Sequence, residues 1–338
     1  MGSNPQINKA SRCAVIGHGS WATALVKVLT TKESSVGWYV RNAEVLESLR
    51  VDGRNARYLS EIEFDLNRLR LSNDLNATIS EADILFLVMP AAYLKCYLSD
   101  LHVSLENKMV VSAVKGIMPD EHQFVTEYLK QHYGLSDSQL CFICGPTHAE
   151  EVGHGQLTYL TLACHDVINT RIVGEKLKTP FIRINCQKDI NYLERSSVLK
   201  NIYAIVVGIA VGMGYGDNFI SVLVSNCIKE MYCLLDPQSI NDLTEFNPSN
   251  FFGDLLVSCY SSHSRNRQFG TLIGRGNTVK TALNEMTMVA EGYFASKLVA
   301  SLPEGQRKQM PVAETAYGIL HENRPVRKAM KDLEGLLT

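Results

Sequence analysis

The chain has 338 residues, of which 46% are hydrophobic and 20% charged, a balance that fits a globular protein of about two domains. A formal net charge of −2 excludes a global electrostatic pull toward nucleic acid or an anionic membrane, so an anionic ligand has to be held by a local group of cations. The opening residues MGSNPQINKASR contain no apolar run of a secretory signal, and the 9 cysteines, irregularly spaced and odd in number, read as reduced thiols of a cytoplasmic protein.

Strand and helix patterns alternate through the first half. Residues 12–17 (RCAVIG) read as a short buried strand, with Ser20 as the N-cap of a helix to about Thr30. Residues 36–40 form a second strand, followed by a helix over 43–51. A weak strand at 69–71 and a strong one at 84–88 (ILFLV) precede a helix over 91–105. A strand over 109–113 and an amphipathic helix over 121–132 come next, then strands at 141–144, 158–163 and 181–184 with a helix over 167–178. Near-continuous apolar strands separated by helices predict a mostly parallel sheet covered on both faces. Beyond Lys188 the strand patterns vanish, and helical periods run over 192–211, 218–235, 251–259, 279–302 and 312–320. The expected architecture is an α/β domain over residues 1–189 followed by an all-helical domain over 190–338.

The stretch CAVIGHGSWATAL carries Gly17, Gly19 and Ala22 in the G-x-G-x-x-A spacing of a dinucleotide turn, directly after a strand and opening a helix. Gly17 allows the tight turn, Gly19 lets the backbone approach a diphosphate at the helix N-terminus, and Ala22 lets helix and strand pack closely. Ordinary strand–helix turns share this spacing; the context favours a nucleotide. A site for NAD usually has Asp or Glu at the end of the second strand. Here that strand ends Tyr39-Val40-Arg41-Asn42, and the first acid, Glu44, is already in the next helix. Arg41 can pair with a 2′-phosphate, which leaves NAD and NADP both open.

Further stretches look chemical. VVSAVKGI puts Lys115 at the carboxyl end of a strand, where such sheets bind ligands. CGPTHAEEV turns into a helix N-terminus, a place where an anion or carbonyl oxygen can be met. FFGDLLVSCYSSHSRNRQFG sets Asp254 in apolar surroundings and then gathers Ser258, Ser261, Ser262, Ser264, Arg265, Asn266 and Arg267, which form either a polar loop or donors for a phosphate. SSVLKNIYAIVVGIAVGMGYGDN sets Lys200 at the head of a run without charge from Asn201 to Gly216, shorter and richer in glycine than a membrane span of ~20 apolar residues. On this stretch alone the lysine is either a core residue snorkelling to water or a reactive group in a buried site. Cys141-Phe-Ile-Cys144 with His148 offers half a zinc site, but no second pair at ligand spacing follows, so a buried strand is expected and no metal.

Taken together, Gly17–Trp21, Lys115-Gly-Ile117, Gly145-Pro-Thr-His-Ala-Glu150, Leu199-Lys-Asn-Ile-Tyr-Ala204, Gly214-Tyr-Gly-Asp-Asn218, Gly253-Asp-Leu255 and Ser264-Arg-Asn266 stand in the order found in bacterial NAD(P)-dependent glycerol-3-phosphate dehydrogenases. The chain resembles that family over almost its whole length. The resemblance implies a Rossmann-type domain followed by a helical domain. It also implies reversible hydride transfer between NAD(P)H and dihydroxyacetone phosphate, giving sn-glycerol 3-phosphate for glycerophospholipid synthesis. By position, Lys200 matches the catalytic proton acceptor, with Lys115 and Asp254 completing the catalytic group. Substrate contacts are implied at Lys115, Gly145, Thr147, Lys200, Asp254, Ser264, Arg265 and Asn266. Cofactor contacts are implied at Gly17, Gly19, Ser20, Trp21, Arg41, Lys115, Ala149, Arg265, Val289 and Glu291.

The implied partner is a small phosphorylated three-carbon substrate, with no nucleic acid, no membrane span and a homodimeric assembly. With these motifs in place, the catalytic reading of Lys200 displaces the snorkelling one. Cys144 departs from the family's usual serine before Gly-Pro, and NARYLSEIEF (55–64) is a loose version of a proline-bearing loop. One alternative keeps the architecture and changes the substrate to that of a 3-hydroxyacid or ketopantoate type reductase, which needs a carboxylate anchor instead of a phosphate clamp. Another is a non-catalytic NAD(P)H-binding redox sensor.

Overall fold

Short runs of apolar residues with no polar side to expose form strands buried on both faces, and they make the centre of one sheet. The computed structural model describes residues 5–234, 249–286 and 288–338. The chain divides into two units, Met1–Val114 with Val125–Ile190 and Lys115–Phe124 with Asn191–Thr338. The first unit begins β1 (Cys13–Ile16), α1 (Ser20–Leu29), β2 (Val36–Tyr39), α2 (Ala43–Asp52), β3 (Leu69–Ser72), α3 (Leu75–Ser80), β4 (Ile84–Leu87), α4 (Leu94–Leu98) and β5 (Met109–Ser112). The short strands β6 (Ile117–Met118) and β7 (Gln123–Phe124) belong to the second unit. The first unit resumes with α5 (Val125–Tyr133), β8 (Leu140–Cys144), α6 (Ala149–Gly153), β9 (Thr158–Ala163), α7 (Val167–Leu177) and β10 (Ile182–Gln187).

The sheet is 8-stranded, in the order β3-β2-β1-β4-β5-β8-β9-β10, and parallel except where β8 meets β9. From β3 to β8 this is the Rossmann order, with the direction of winding reversing between β1 and β4. β1, β2, β4 and β5 are buried along their whole length, while the edge strands β3 and β10 are partly exposed. Cys141 and Cys144 lie buried in β8, and burial pushes the Cys141 thiol well above its ordinary range.

Some boundaries differ from the sequence reading. Gly19, not Ser20, is the N-cap of α1. The helix predicted over 91–105 is a 3-10 turn at Ala91–Tyr93 followed by α4, which stops at Leu98. Beyond it the Asn76 side chain accepts from the backbone N–H groups of His102 and Val103 and holds that segment as a loop. The helix predicted from 121 starts at Val125, because Ile117 and Met118 pair with Phe124 and Gln123 across a turn with His122 at φ 53. α3, absent from the sequence reading, starts where the Asp74 side chain caps the Ala77 N–H at 2.9 Å.

Among its described residues, and apart from the β6–β7 hairpin, the second unit is helical: α8 (Ile190–Met213), α9 (Asp217–Leu234), a π-helical turn at Ser249–Gly253, α10 (Asp254–Tyr260), α11 (Arg265–Gly274), α12 (Val279–Glu285), α13 (Glu291–Ala295), α14 (Leu298–Ser301), α15 (Glu304–Arg307), α16 (Pro311–His321) and α17 (Val326–Glu334). The predicted end of the second helix, at Leu235, lies outside the described residues. From Ile202 onward α8 is apolar on every side, with each residue from Ile202 to Val207 buried. By length and composition it passes for a membrane span, but 83% of its most apolar window is buried within the protein, the mark of a core helix.

The glycines of α8 serve its contact with α11. A Cβ on Gly208 would lie 2.2 Å from the Arg267 carbonyl oxygen, and one on Gly212 2.4 Å from that of Thr271. In return, a Cβ on Gly270 would lie 2.0 Å from the Ile205 oxygen and one on Gly274 2.2 Å from that of Ile209. The two helices therefore meet backbone to backbone, through glycines spaced four apart on each. The helix predicted over 279–302 is broken into α12, α13 and α14. The Gly292 N–H donates to the Asn266 side chain at 2.9 Å, and a Cβ there would lie 2.3 Å from the Asn201 oxygen. That contact starts a new helix against α8 instead of extending α12.

Glu230 on α9 is buried and accepts from the backbone N–H groups of Val312 and Ala313 at the start of α16. Burial pushes its carboxyl up to about 8, opposed by those two N–H groups and by Tyr203. A group that holds its proton more tightly folded than unfolded stabilises fully below its unfolded pKa and loses that contribution as pH rises through its folded one. Glu230 is therefore expected to lower the thermal midpoint progressively between about pH 5 and about pH 8. Melting curves of wild type and Glu230→Gln across that range check this, the difference between them carrying the slope.

Candidate active site

The glycine turn follows β1 in the first unit. Gly17 has φ +133, and a Cβ on it would lie 2.0 Å from the Val88 oxygen, so no other residue fits. Its N–H donates to the Tyr39 oxygen at 3.2 Å, and its carbonyl accepts from Trp38 Nε1 at 2.7 Å. The buried Asn55 side chain donates to the His18 oxygen at 3.0 Å and to Thr23 Oγ1 at 2.8 Å, and Thr23 Oγ1 donates to the Gly19 oxygen at 3.0 Å. Asn55 thus fixes the turn from the loop 55–64, a role that carries no local signal in the chain. No side chain caps the first turn of α1, and nothing lies within 4 Å of a Cβ placed on Gly19. A bare helix start with open space over its glycine fits a dinucleotide diphosphate. Ser20 and Trp21, both half-buried, occupy that first turn.

Arg41 is exposed at the end of β2, its guanidinium 5.5 Å from the centre of the Tyr97 ring. A hydrogen bond that its guanidinium donates to the Cys96 sulfur, first among the causes, raises the Arg41 pKa further. Glu44, the nearest acid in sequence, is paired with Arg57. α6 packs against α1. Before α6, Gly145 has φ +125, and a Cβ on it would lie 2.6 Å from the Tyr159 oxygen. The Thr147 hydroxyl donates to the Gly145 oxygen at 2.7 Å, and Ala149, buried, is the first residue of α6.

The lysines meet in the second unit. Lys200 on α8 is 7% exposed; its Nζ donates to Asp254 Oδ1 and, at 3.0 Å, to Ser258 Oγ. Lys115 Nζ donates to the other carboxylate oxygen, Oδ2, at 3.2 Å. Asp254 is 1% exposed, so one buried carboxylate bridges two ammonium groups and the formal charges leave one positive charge in excess. Asp254 opens α10, and Ser258 stands one helical turn further along the same face. Asn201, next to Lys200, donates to the Lys115 oxygen at 2.8 Å and accepts from Asn266 Nδ2 at 2.9 Å. Ser258 was read as one of a run of possible phosphate donors, not as a partner of Lys200, and Asn201 was not singled out as a site residue.

Ser264, Arg265 and Asn266 form a helix start, not a loop. Ser264 is the N-cap of α11, its hydroxyl accepting from the Arg267 N–H at 3.4 Å. Two arginines, Arg265 and Arg267, occupy a first turn that contains no acidic residue. Cations there oppose the helix dipole, at a cost of about 0.3–1 kcal/mol each, and a bound anion reverses the sign. Among the described residues the Arg265 side chain has no hydrogen-bonding partner, and Arg267 Nε is buried without one. Val289 is half-buried just before α13, which Glu291 opens. Among the described residues no group of three or more His, Cys, Asp or Glu side chains gathers.

A Rossmann sheet with an open glycine turn, joined in one chain to a buried lysine–carboxylate cluster, defines an oxidoreductase that works with a nicotinamide dinucleotide. Residues 12–169 match the N-terminal model, and residues 189–331 the C-terminal model, of NAD-dependent glycerol-3-phosphate dehydrogenase. The chain belongs to the NAD-dependent glycerol-3-phosphate dehydrogenase family.

It is 33% identical over 327 residues to the glycerol-3-phosphate dehydrogenase [NAD(P)+] of Chlorobium limicola, covering 95% of this chain and 96% of that one. The enzyme of the same name from Staphylococcus haemolyticus is 30% identical over 96% of this chain and 98% of its own. The crystal structure of glycerol-3-phosphate dehydrogenase from Coxiella burnetii superposes with a TM-score of 0.86 at 25% identity, covering 96% of this chain and 99% of that one. As a member of the family, the chain is an NAD(P)-dependent enzyme interconverting dihydroxyacetone phosphate and glycerol 3-phosphate. This membership sets aside the oxo-acid reductase and the non-catalytic sensor.

Proposed function

We propose that Lys200 carries the proton of this reaction, that Lys115 and Asp254 complete the catalytic group, and that the start of α11 holds the substrate phosphate. The observation that carries the reading is the Asp254 carboxylate bridging Lys200 and Lys115. Bound NAD(P)H supplies the hydride. Reduction of the ketone develops negative charge on its oxygen, and Lys200 Nζ donates a proton to that oxygen, taking it back in the reverse direction. Lys115 supplies a second positive charge to the developing alkoxide, and Asp254 and Ser258 hold the ammonium groups in place. Arg265, Ser264 and Asn266 bind the phosphate, with Gly145 and Thr147 as further substrate contacts.

In the same reading, residues 1–189 bind the dinucleotide through Gly17, Gly19, Ser20, Trp21, Arg41 and Ala149. Residues 190–338 hold the substrate, with Lys115, Arg265, Val289 and Glu291 reaching the cofactor as well. The enzyme acts in the cytoplasm, supported by 8 described cysteines that are free thiols. It works as a homodimer and supplies glycerol 3-phosphate for glycerophospholipid synthesis.

The test is to follow NADH and NADPH oxidation with dihydroxyacetone phosphate in the purified protein. Turnover with both cofactors is expected, and consumption of neither sinks the reading. In the same assay Arg41→Asp is expected to lower kcat/KM with NADPH about fivefold more than with NADH, the scale of one exposed charge-assisted contact. An unchanged ratio would show that Arg41 does not read the 2′ position.

A further inference from the structure

His18 stands between the two glycines of the turn, and nothing above uses its side chain. Its ring lies beside that of Tyr97 on α4, with centroids 6.3 Å apart and planes 24° apart, and Nδ1 is 3.0 Å from the Tyr97 hydroxyl. The Tyr97 ring also lies under the Arg41 guanidinium and meets Tyr39 edge-on at 6.0 Å. One buried phenol on α4 therefore touches both the glycine turn and the arginine at the end of β2.

The position of the proton follows. Burial pushes Tyr97 up to about 12, so the phenol keeps its proton at neutral pH. Burial, then Arg57 and Arg41, lowers His18, so its ring is neutral and carries a single N–H. Among the described residues the Tyr97 hydroxyl has no other hydrogen-bonding partner, and its proton would find no protein acceptor if Nδ1 were the donor. The phenol thus donates to Nδ1, and the ring's own N–H sits on Nε2. The turn gains a side-chain donor beside its backbone, in a place where two nearby guanidiniums already favour an anion.

We propose that His18 binds the cofactor diphosphate through Nε2–H, and that Tyr97 is the positioning residue that fixes this tautomer and seats Arg41. The proposal rests on the reading of the glycine turn as the dinucleotide site. It makes the diphosphate contact, common to NADH and NADPH, separable from the 2′ contact, which only NADPH makes. Tyr97→Phe keeps the ring under Arg41 and removes only the hydroxyl, whereas Tyr97→Leu removes both supports.

The experiment titrates NADH and NADPH into wild type, His18→Ala, Tyr97→Phe and Tyr97→Leu, and reads the His18 tautomer from imidazole nitrogen NMR shifts. Wild type is expected to show the Nε2–H tautomer. His18→Ala should bind both cofactors about tenfold more weakly with their ratio unchanged, as for one lost charge-assisted hydrogen bond. Tyr97→Phe should mix the tautomers and weaken both cofactors about threefold to fivefold. Tyr97→Leu should in addition lower the preference for NADPH. An Nδ1–H tautomer in wild type, or unchanged affinities in His18→Ala, would overturn the proposal. His18 is half-buried in the turn, so its truncation decides the matter even where a Tyr97 variant fails to fold. Wild type that bound neither dinucleotide would overturn the reading of the turn itself. Wild-type binding that is insensitive to His18 leaves that reading intact and removes only the present inference.

Discussion

Lys200→Met is expected to cut kcat by at least ~10²-fold while changing cofactor affinity little, the usual scale for loss of a positioned acid–base group. Methionine keeps the length and apolar stem of lysine, so the buried position on α8 stays filled. The variant does not strand Asp254, because Lys115 Nζ remains 3.2 Å from its second oxygen. That is the reason to choose Lys200 over Asp254 for the test. Asp254→Asn would leave two ammonium groups without their shared carboxylate, and lost activity would then mix chemistry with the cost of unpaired buried charge. Steady-state kinetics with dihydroxyacetone phosphate and either cofactor give the answer. Near-normal kcat would return Lys200 to the class of core lysines held by an ion pair.

Arg265→Ala is expected to lower kcat/KM for dihydroxyacetone phosphate about 10- to 100-fold, as for a charge-assisted contact worth ~1.5–3 kcal/mol. The placement of Arg265 supports a role toward an anion: half-buried at a helix start, with Arg267 two residues on and no acid in the first turn. Removing a cation that opposes the helix dipole should raise the thermal midpoint slightly, even as activity falls. Lysine should rescue only in part, since it restores the charge without the planar fork. Unphosphorylated dihydroxyacetone is the control, a poor substrate that should lose little further. Titration of NADPH separates a cofactor contact of the same arginine. Equal losses on both ketones would assign Arg265 to the cofactor or the fold.

The glycine turn was legible because its chemistry is local: a buried strand, two glycines at fixed spacing and a helix start lie within a few residues. Lys200 and Asp254 were legible as charges in apolar surroundings. What joins them was not, since the carboxylate lies 54 positions from one lysine and 139 from the other. α11 was hidden for another reason. RNRQFGTLIG is polar and contains Gly270 and Gly274, a poor helix by propensity that forms because α8 leaves room for its backbone. The predicted helix over 279–302 failed in the opposite sense: its apolar period is continuous, but Asn266 caps a new start at Gly292. Residues 121–124 were read as the start of a helix, since the pairing of Ile117–Met118 with Gln123–Phe124 is too short to leave a periodic signal.

The glycine seam between α8 and α11 has a consequence for how the chain can vary. Most helix pairs are spaced by side chains, which change rotamer and absorb a substitution. Here the spacing is set by hard contact between main chains, so the joint has no compliance. Gly270 lies one turn and a half beyond Arg265 on a short, stiff rod, and any displacement at the seam is passed undamped to the arginine end. A methyl group at Gly208, Gly212, Gly270 or Gly274 would therefore act as a misalignment of the proposed anion-binding end instead of a defect in a core. Four positions with no reactive atom become as unforgiving as Lys200 is in the proposed chemistry.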